Sequence, residues 1–102
     1  MIERDEYIVR IVRLTISKEN VDAFNKLYKQ YEDAISSQPG CLSVDLFTDA
    51  SNPYVRATIS KWRDVESLNR YRHSELFGVV WPATKALFAA KPEVWTYEAR
   101  SF

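Results

Sequence analysis

The sequence predicts an α+β fold of ferredoxin-like βαββαβ order, with a four-stranded antiparallel sheet and its helices on one face. Three observations predict it. Four short segments rich in β-branched and aromatic residues read as strands. Apolar stripes at spacings of three and four separate the first strand from the second and the third from the fourth. The second and third strands are close enough for a hairpin, whereas the right-handed crossover rule sends both helical connections to the same side of the sheet. At 102 residues, 46% hydrophobic and 14% aromatic, the chain has material for one packed core, so residues 1–102 are read as a single domain.

Each element has its own signal. Residues 1–6 are polar and mostly acidic and are read as a flexible start. Residues 7–16 form the first strand, with Ile8, Val12, Leu14 and Ile16 alternating on one face. Ser17 is placed to cap the helix that follows, and Glu19 puts negative charge in its first turn. Val21, Phe24, Leu27, Tyr28, Tyr31 and Ile35 make one stripe of about four turns, which Pro39 and Gly40 close. Residues 41–48 alternate as the second strand; Asp49 to Pro53 supply turn chemistry, and residues 54–62 form the third strand. Asp64 caps one short helical piece, and Ser74 caps a second whose stripe runs through Leu76, Phe77, Val80, Leu87 and Phe88. Pro82 falls inside this piece and crowds the carbonyl of Gly78, which predicts a kink. The last strand is 93–99.

Composition excludes several classes of function. Lys and Arg total 14 and Asp and Glu total 14, without a basic stripe, so nucleic acid is not an expected partner. No apolar run approaches the length of a membrane span, and no basic amphipathic helix is present for a membrane surface. The start lacks the pattern of a secretion signal and the chain has one cysteine, Cys41, so the cytoplasm is the expected compartment. One histidine and one thiol make no metal pattern, and two glycines make no phosphate loop.

The helices cover one sheet face, yet the other is apolar too. Val9, Ile11, Phe47, Val55, Ala57, Ile59, Trp95 and Tyr97 fall on it, and no segment remains to cover them. A second copy of the chain is the economical cover, giving a homodimer. Arg13, Asp45 and Lys61 interrupt that face, which suggests ion pairs around an apolar centre.

With this order in place, the chain resembles the antibiotic biosynthesis monooxygenase superfamily of dimeric α/β barrels. The matching pieces are the first strand with Ser17 and Phe24, then Gln38-Pro39-Gly40-Cys41-Leu42, Lys61-Trp62-Arg63-Asp64, and Ser74-Glu75-Leu76-Phe77. The resemblance implies a cofactor-free enzyme that oxidises a small electron-rich aromatic or quinol with molecular oxygen. It places the substrate in a dry, aromatic-walled cleft between sheet and helices, with a few donors near the oxygen that gains negative charge. Thr58 stands where an aromatic-oxidising member has asparagine, and Tyr71 where many members have histidine. The haem-degrading branch needs an asparagine and an axial histidine where this chain has Val12 and Trp81, so haem degradation is not expected.

The candidate catalytic residues are Trp62, Tyr71 and His73, and the candidate substrate contacts are Arg10, Val12, Arg56, Thr58, Phe77 and Trp81. Each has a plainer alternative. Trp62 ends a strand and serves equally as core; Tyr71 fits a helix stripe; Trp81 fits packing beside Pro82. Arg10 and Arg56 lie on an apolar face, where a substrate anion would explain them, but a long stem reaching solvent or Glu98 is the favoured reading. His73, the only histidine, falls between two helical pieces at an expected surface position. The competing functions are a binding dimer for a small hydrophobic or acidic ligand, and an isomerase or lyase for a small oxygenated metabolite.

Overall fold

The alternation of buried and half-buried residues along the first segment produces a nine-residue strand, β1 (Tyr7–Thr15). In the computed structural model, which describes residues 6–100, a 3-10 turn (Lys18–Asn20) follows, then α1 (Val21–Ser36), β2 (Cys41–Asp49), β3 (Asn52–Trp62), α2 (Val65–Arg72), α3 (Glu75–Lys85) and β4 (Glu93–Ala99). The sheet is antiparallel in the order β2-β3-β1-β4, the ferredoxin-like arrangement. Of the flexible start expected for residues 1–6, all but Glu6 lies outside the described residues. No described helix is long and apolar enough to cross a membrane.

Four local details depart from the sequence reading. Ser17 makes no side-chain cap; its carbonyl instead accepts the Asn20 N–H at 2.8 Å, closing the 3-10 turn before the α-helix starts. Ile16 lies just past β1 and bridges to Phe88. The last helix stops at Lys85, short of Leu87 and Phe88. The reason is a competing ladder: Ser17 N–H donates to Leu87 O and Ala89 N–H to Thr15 O, which pulls this segment against the end of β1. The third strand starts two residues early, at Asn52, because Asp49 already turns the chain by accepting Ser51 N–H and Oγ at 2.9 Å each.

Asp64 and Ser74 cap as the sequence predicts. Asp64 Oδ1 accepts Ser67 N–H at 2.8 Å, and Ser74 Oγ accepts Phe77 N–H at 3.1 Å. α3 continues across Pro82, with Thr84 Oγ1 donating back to Val80 O at 2.7 Å.

The core is divided. One cluster gathers Ile8, Trp62, Leu68 and Tyr71; the other gathers Val12, Leu14, Ile16 and Phe24. Along β1 they meet at Arg10, which sits between Ile8 and Val12 on the helix-facing side. On the opposite face Val55 is already buried, while Phe47 is 49%, Trp95 39% and Tyr97 53% exposed. Arg13 approaches Asp49 at 3.9 Å and Glu93 at 3.7 Å within the protomer, and Lys61 lies over the Tyr7 ring.

Candidate functional site

A cleft of about 90 Å³ opens where the two halves of the core separate. β1 contributes Arg10, Val12 and Leu14, and β3 contributes Thr58 and Ser60. α1 supplies Phe24, Leu27, Tyr28 and Tyr31 from one stripe, and the far wall comes from Tyr71, Phe77 and Trp81.

That wall is a continuous run of aromatic rings. Trp62 stacks on Tyr71 at 5.1 Å between centroids, and Tyr71 meets Phe77 edge-on at 5.1 Å. Phe77 stacks on Trp81 at 5.8 Å, and Trp81 meets Phe88 edge-on at 6.1 Å. Offset stacks alternating with edge contacts suit the ring quadrupoles and fix the wall without polar bonds. Caps at Asp64 and Ser74 start both helices where their aromatic faces turn to the sheet.

Six of the nine predicted site residues meet at the cleft: Arg10, Val12, Thr58, Tyr71, Phe77 and Trp81. The other three lie elsewhere. Trp62 is 0% exposed behind Tyr71, and its Nε1–H donates to Ser60 Oγ at 2.9 Å. Because that oxygen already accepts, the Ser60 hydroxyl proton is available to the cleft. Arg56 has its guanidinium occupied within the protein: Nε donates to Pro53 O at 3.1 Å, an Nη donates to Asn25 Oδ1 at 2.9 Å, and the group lies 5.6 Å from the Phe24 ring centre. His73 is exposed at the end of α2, with Nδ1 2.8 Å from Asn69 O.

Arg10 departs from the favoured reading of a strand arginine reaching solvent or Glu98. It is 8% exposed, and Glu98 is paired instead with Arg100 at 2.8 Å. Burial pushes its pKa down, and the like charge of Arg72 pushes it further in the same direction, against a smaller opposite effect from Tyr71.

Sequence reasoning missed Tyr28, Tyr31 and Ser60. The tyrosines were visible only as members of a core stripe, and Ser60 only as an alternating strand residue. Burial raises the Tyr71 phenol to about 12 and the Tyr28 phenol to about 12, the latter with help from Glu32 one turn away. Glu32 acts on Tyr28 through charge, for the Tyr28 hydroxyl is buried without a well-formed hydrogen bond. Both phenols therefore remain neutral donors at ordinary pH. Protonation favours the folded state, so this contribution to stability is complete below pH 10 and is lost as pH rises to about 12. The urea midpoint of the wild type should accordingly fall across that window. In Tyr28→Phe/Tyr71→Phe the fall should be reduced, and an equal fall in both proteins would refute the assignment.

Residues 7–80 match the family described as antibiotic biosynthesis monooxygenase. A solved structure described as an antibiotic biosynthesis monooxygenase is similar at 26% identity and a TM-score of 0.85, covering 92% of this chain and 99% of that one. A conserved protein from Methanosarcina mazei is similar at 21% identity and a TM-score of 0.86, over 92% and 94% of the two chains. A conserved Bacteroides thetaiotaomicron protein of unknown function, described as a possible oxidoreductase, is similar at 17% identity and a TM-score of 0.82, over 93% and 99%. No curated protein sequence matches the chain.

Proposed function

Because the chain belongs to the antibiotic biosynthesis monooxygenase family, we propose that it is a cofactor-independent monooxygenase that oxidises a small aromatic or quinol substrate with molecular oxygen in this cleft. The supporting observation is the cleft itself, an aromatic-walled apolar space holding a few hydroxyl donors whose phenols are neutral.

The substrate supplies the electrons. Loss of a proton gives an anion that reduces oxygen; one oxygen atom enters the product and the other leaves as water. The protein excludes water, holds the ring against Phe77 and Trp81, and donates hydrogen bonds from Tyr71 and Ser60 to oxygen that gains negative charge. Trp62 acts one step removed, backing Tyr71 and orienting Ser60. Arg56 and His73 have no part in this reading.

The proposal includes a second copy of the chain on the uncovered sheet face, where Phe47, Trp95 and Tyr97 are exposed around Ile11. The cytoplasm is the compartment proposed, since Cys41 is a free thiol that burial makes less acidic.

Oxygen uptake by metal-free protein with hydroquinones and naphthols tests the reaction. The wild type should exceed the protein-free rate, and Tyr71→Phe should lower the enzymatic rate by about 100- to 1,000-fold. No uptake with any substrate, or an unchanged rate in Tyr71→Phe, would defeat the proposal. Tight ligand binding without uptake would favour a non-catalytic binding dimer.

A further inference from the structure

Arg10 is the one feature of the cleft that an apolar ring does not explain. It sits in mid-strand between the two halves of the core, and among the described residues its guanidinium has no hydrogen bond and no ion pair. Its ladder neighbours are Ser60 on β3 and Thr96 on β4, neither of which carries charge. Glu98, two pairs along opposite Ile8, is engaged by Arg100. Arg72, of the same sign, acts on Arg10, so it reinforces the positive potential there. Arg56, on the neighbouring strand β3 opposite Leu14, shows what a satisfied arginine looks like here, with Asn25, Pro53 and the Phe24 face all engaged.

A guanidinium on a side chain only 8% exposed and without a counter-charge is costly, and the cost is offset when an anion binds. The guanidinium is a planar fork that matches two coplanar oxygens. A tetrahedral dianion would call for more donors than this mostly apolar cleft presents.

We propose that Arg10 is an anion seat, and that the ligand of the cleft is an aromatic carboxylate whose charged group meets Arg10 while its ring lies against Phe77 and Trp81. The inference rests on the cleft being the substrate site, and it narrows the substrate class proposed above from aromatics in general to aromatic acids.

Binding of para-hydroxybenzoate and of para-hydroxybenzamide, measured anaerobically by calorimetry on the full chain, separates charge from shape. The wild type should bind the acid at least about tenfold more tightly than the amide. Arg10→Met should abolish that preference by weakening the acid alone, and Arg10→Lys should keep part of it, having the charge without the fork. The thermal midpoint of Arg10→Met should lie above that of the wild type, because an unpaired buried charge has been removed. Equal binding of acid and amide, binding of neither, a preference that survives Arg10→Met, or a lowered midpoint would each overturn the proposal. Acid-selective binding without oxygen uptake would keep the anion seat and remove the oxygenase reading. Uptake with neutral quinols that Arg10→Met leaves unchanged would do the reverse.

Discussion

Trp62→Ala is expected to lower the free energy of unfolding by about 3–5 kcal/mol, measured by chemical denaturation. The indole is fully buried, stacks on Tyr71 at 5.1 Å and donates to Ser60 Oγ at 2.9 Å, so truncation opens a cavity and leaves two cleft residues unsupported. For a domain stabilised by roughly 5–15 kcal/mol, that is a large share. Trp62→Phe keeps a ring against Tyr71 but loses the N–H donor, and should cost only about 1–2 kcal/mol. A Trp62→Ala protein as stable as the wild type would mean that the tryptophan is not the keystone of the first core cluster.

Gly40→Ala should be nearly as damaging, at about 3 kcal/mol, from two separate causes. Gly40 has φ +82°, where an alanine is strained by about 1–2 kcal/mol. The added methyl would also overlap Ser67, the buried residue whose N–H and hydroxyl both bond Asp64 at the start of α2. The glycine cannot retreat, because its carbonyl accepts the Arg63 N–H at 2.7 Å. Pushing Ser67 away disturbs a cap of about 1 kcal/mol and tilts the helix that carries Tyr71. In Gly40→Ala/Ser67→Gly both crowding atoms are gone, so the two substitutions should be non-additive by about 1–2 kcal/mol, with the backbone strain remaining. Strict additivity in denaturant unfolding would show that the contact with Ser67 is not the source of the damage.

The architecture was legible wherever the signal is local. Alternation along β1, the stripe of α1, and the side-chain caps Asp64 and Ser74 each identify an element without reference to the rest of the chain. Ser17 shows the limit. A serine before an acidic residue has the form of a cap, but the structure continues β1 into a tight turn that uses its backbone carbonyl instead.

The site was legible by face and not by depth. Trp62 and Thr58 share the helix-facing side of β3, yet one is sealed behind a tyrosine and the other borders the cleft. Arg10 and Arg56 are indistinguishable by alternation. What separates them is Asn25, 31 residues away from Arg56 in sequence, and its neighbour Phe24, seated over one guanidinium and not the other. Tyr28 was hidden for a related reason: a stripe position says that a side chain faces inward, and says nothing about whether its hydroxyl finds a partner there.

The outermost strand has one further consequence. β4 lies at the sheet edge beside β1, and Val94 on one side and Trp95 and Tyr97 on the other are all exposed. Backbone hydrogen bonds hold this strand in place with little burial to assist them, which places it at the weak end of the protomer's cooperative structure. A second copy seated over Trp95 and Tyr97 would supply the missing burial only in proportion to how often two chains meet. The order of β4 would then follow mass action, and the abundance of the chain would set its resistance to heat.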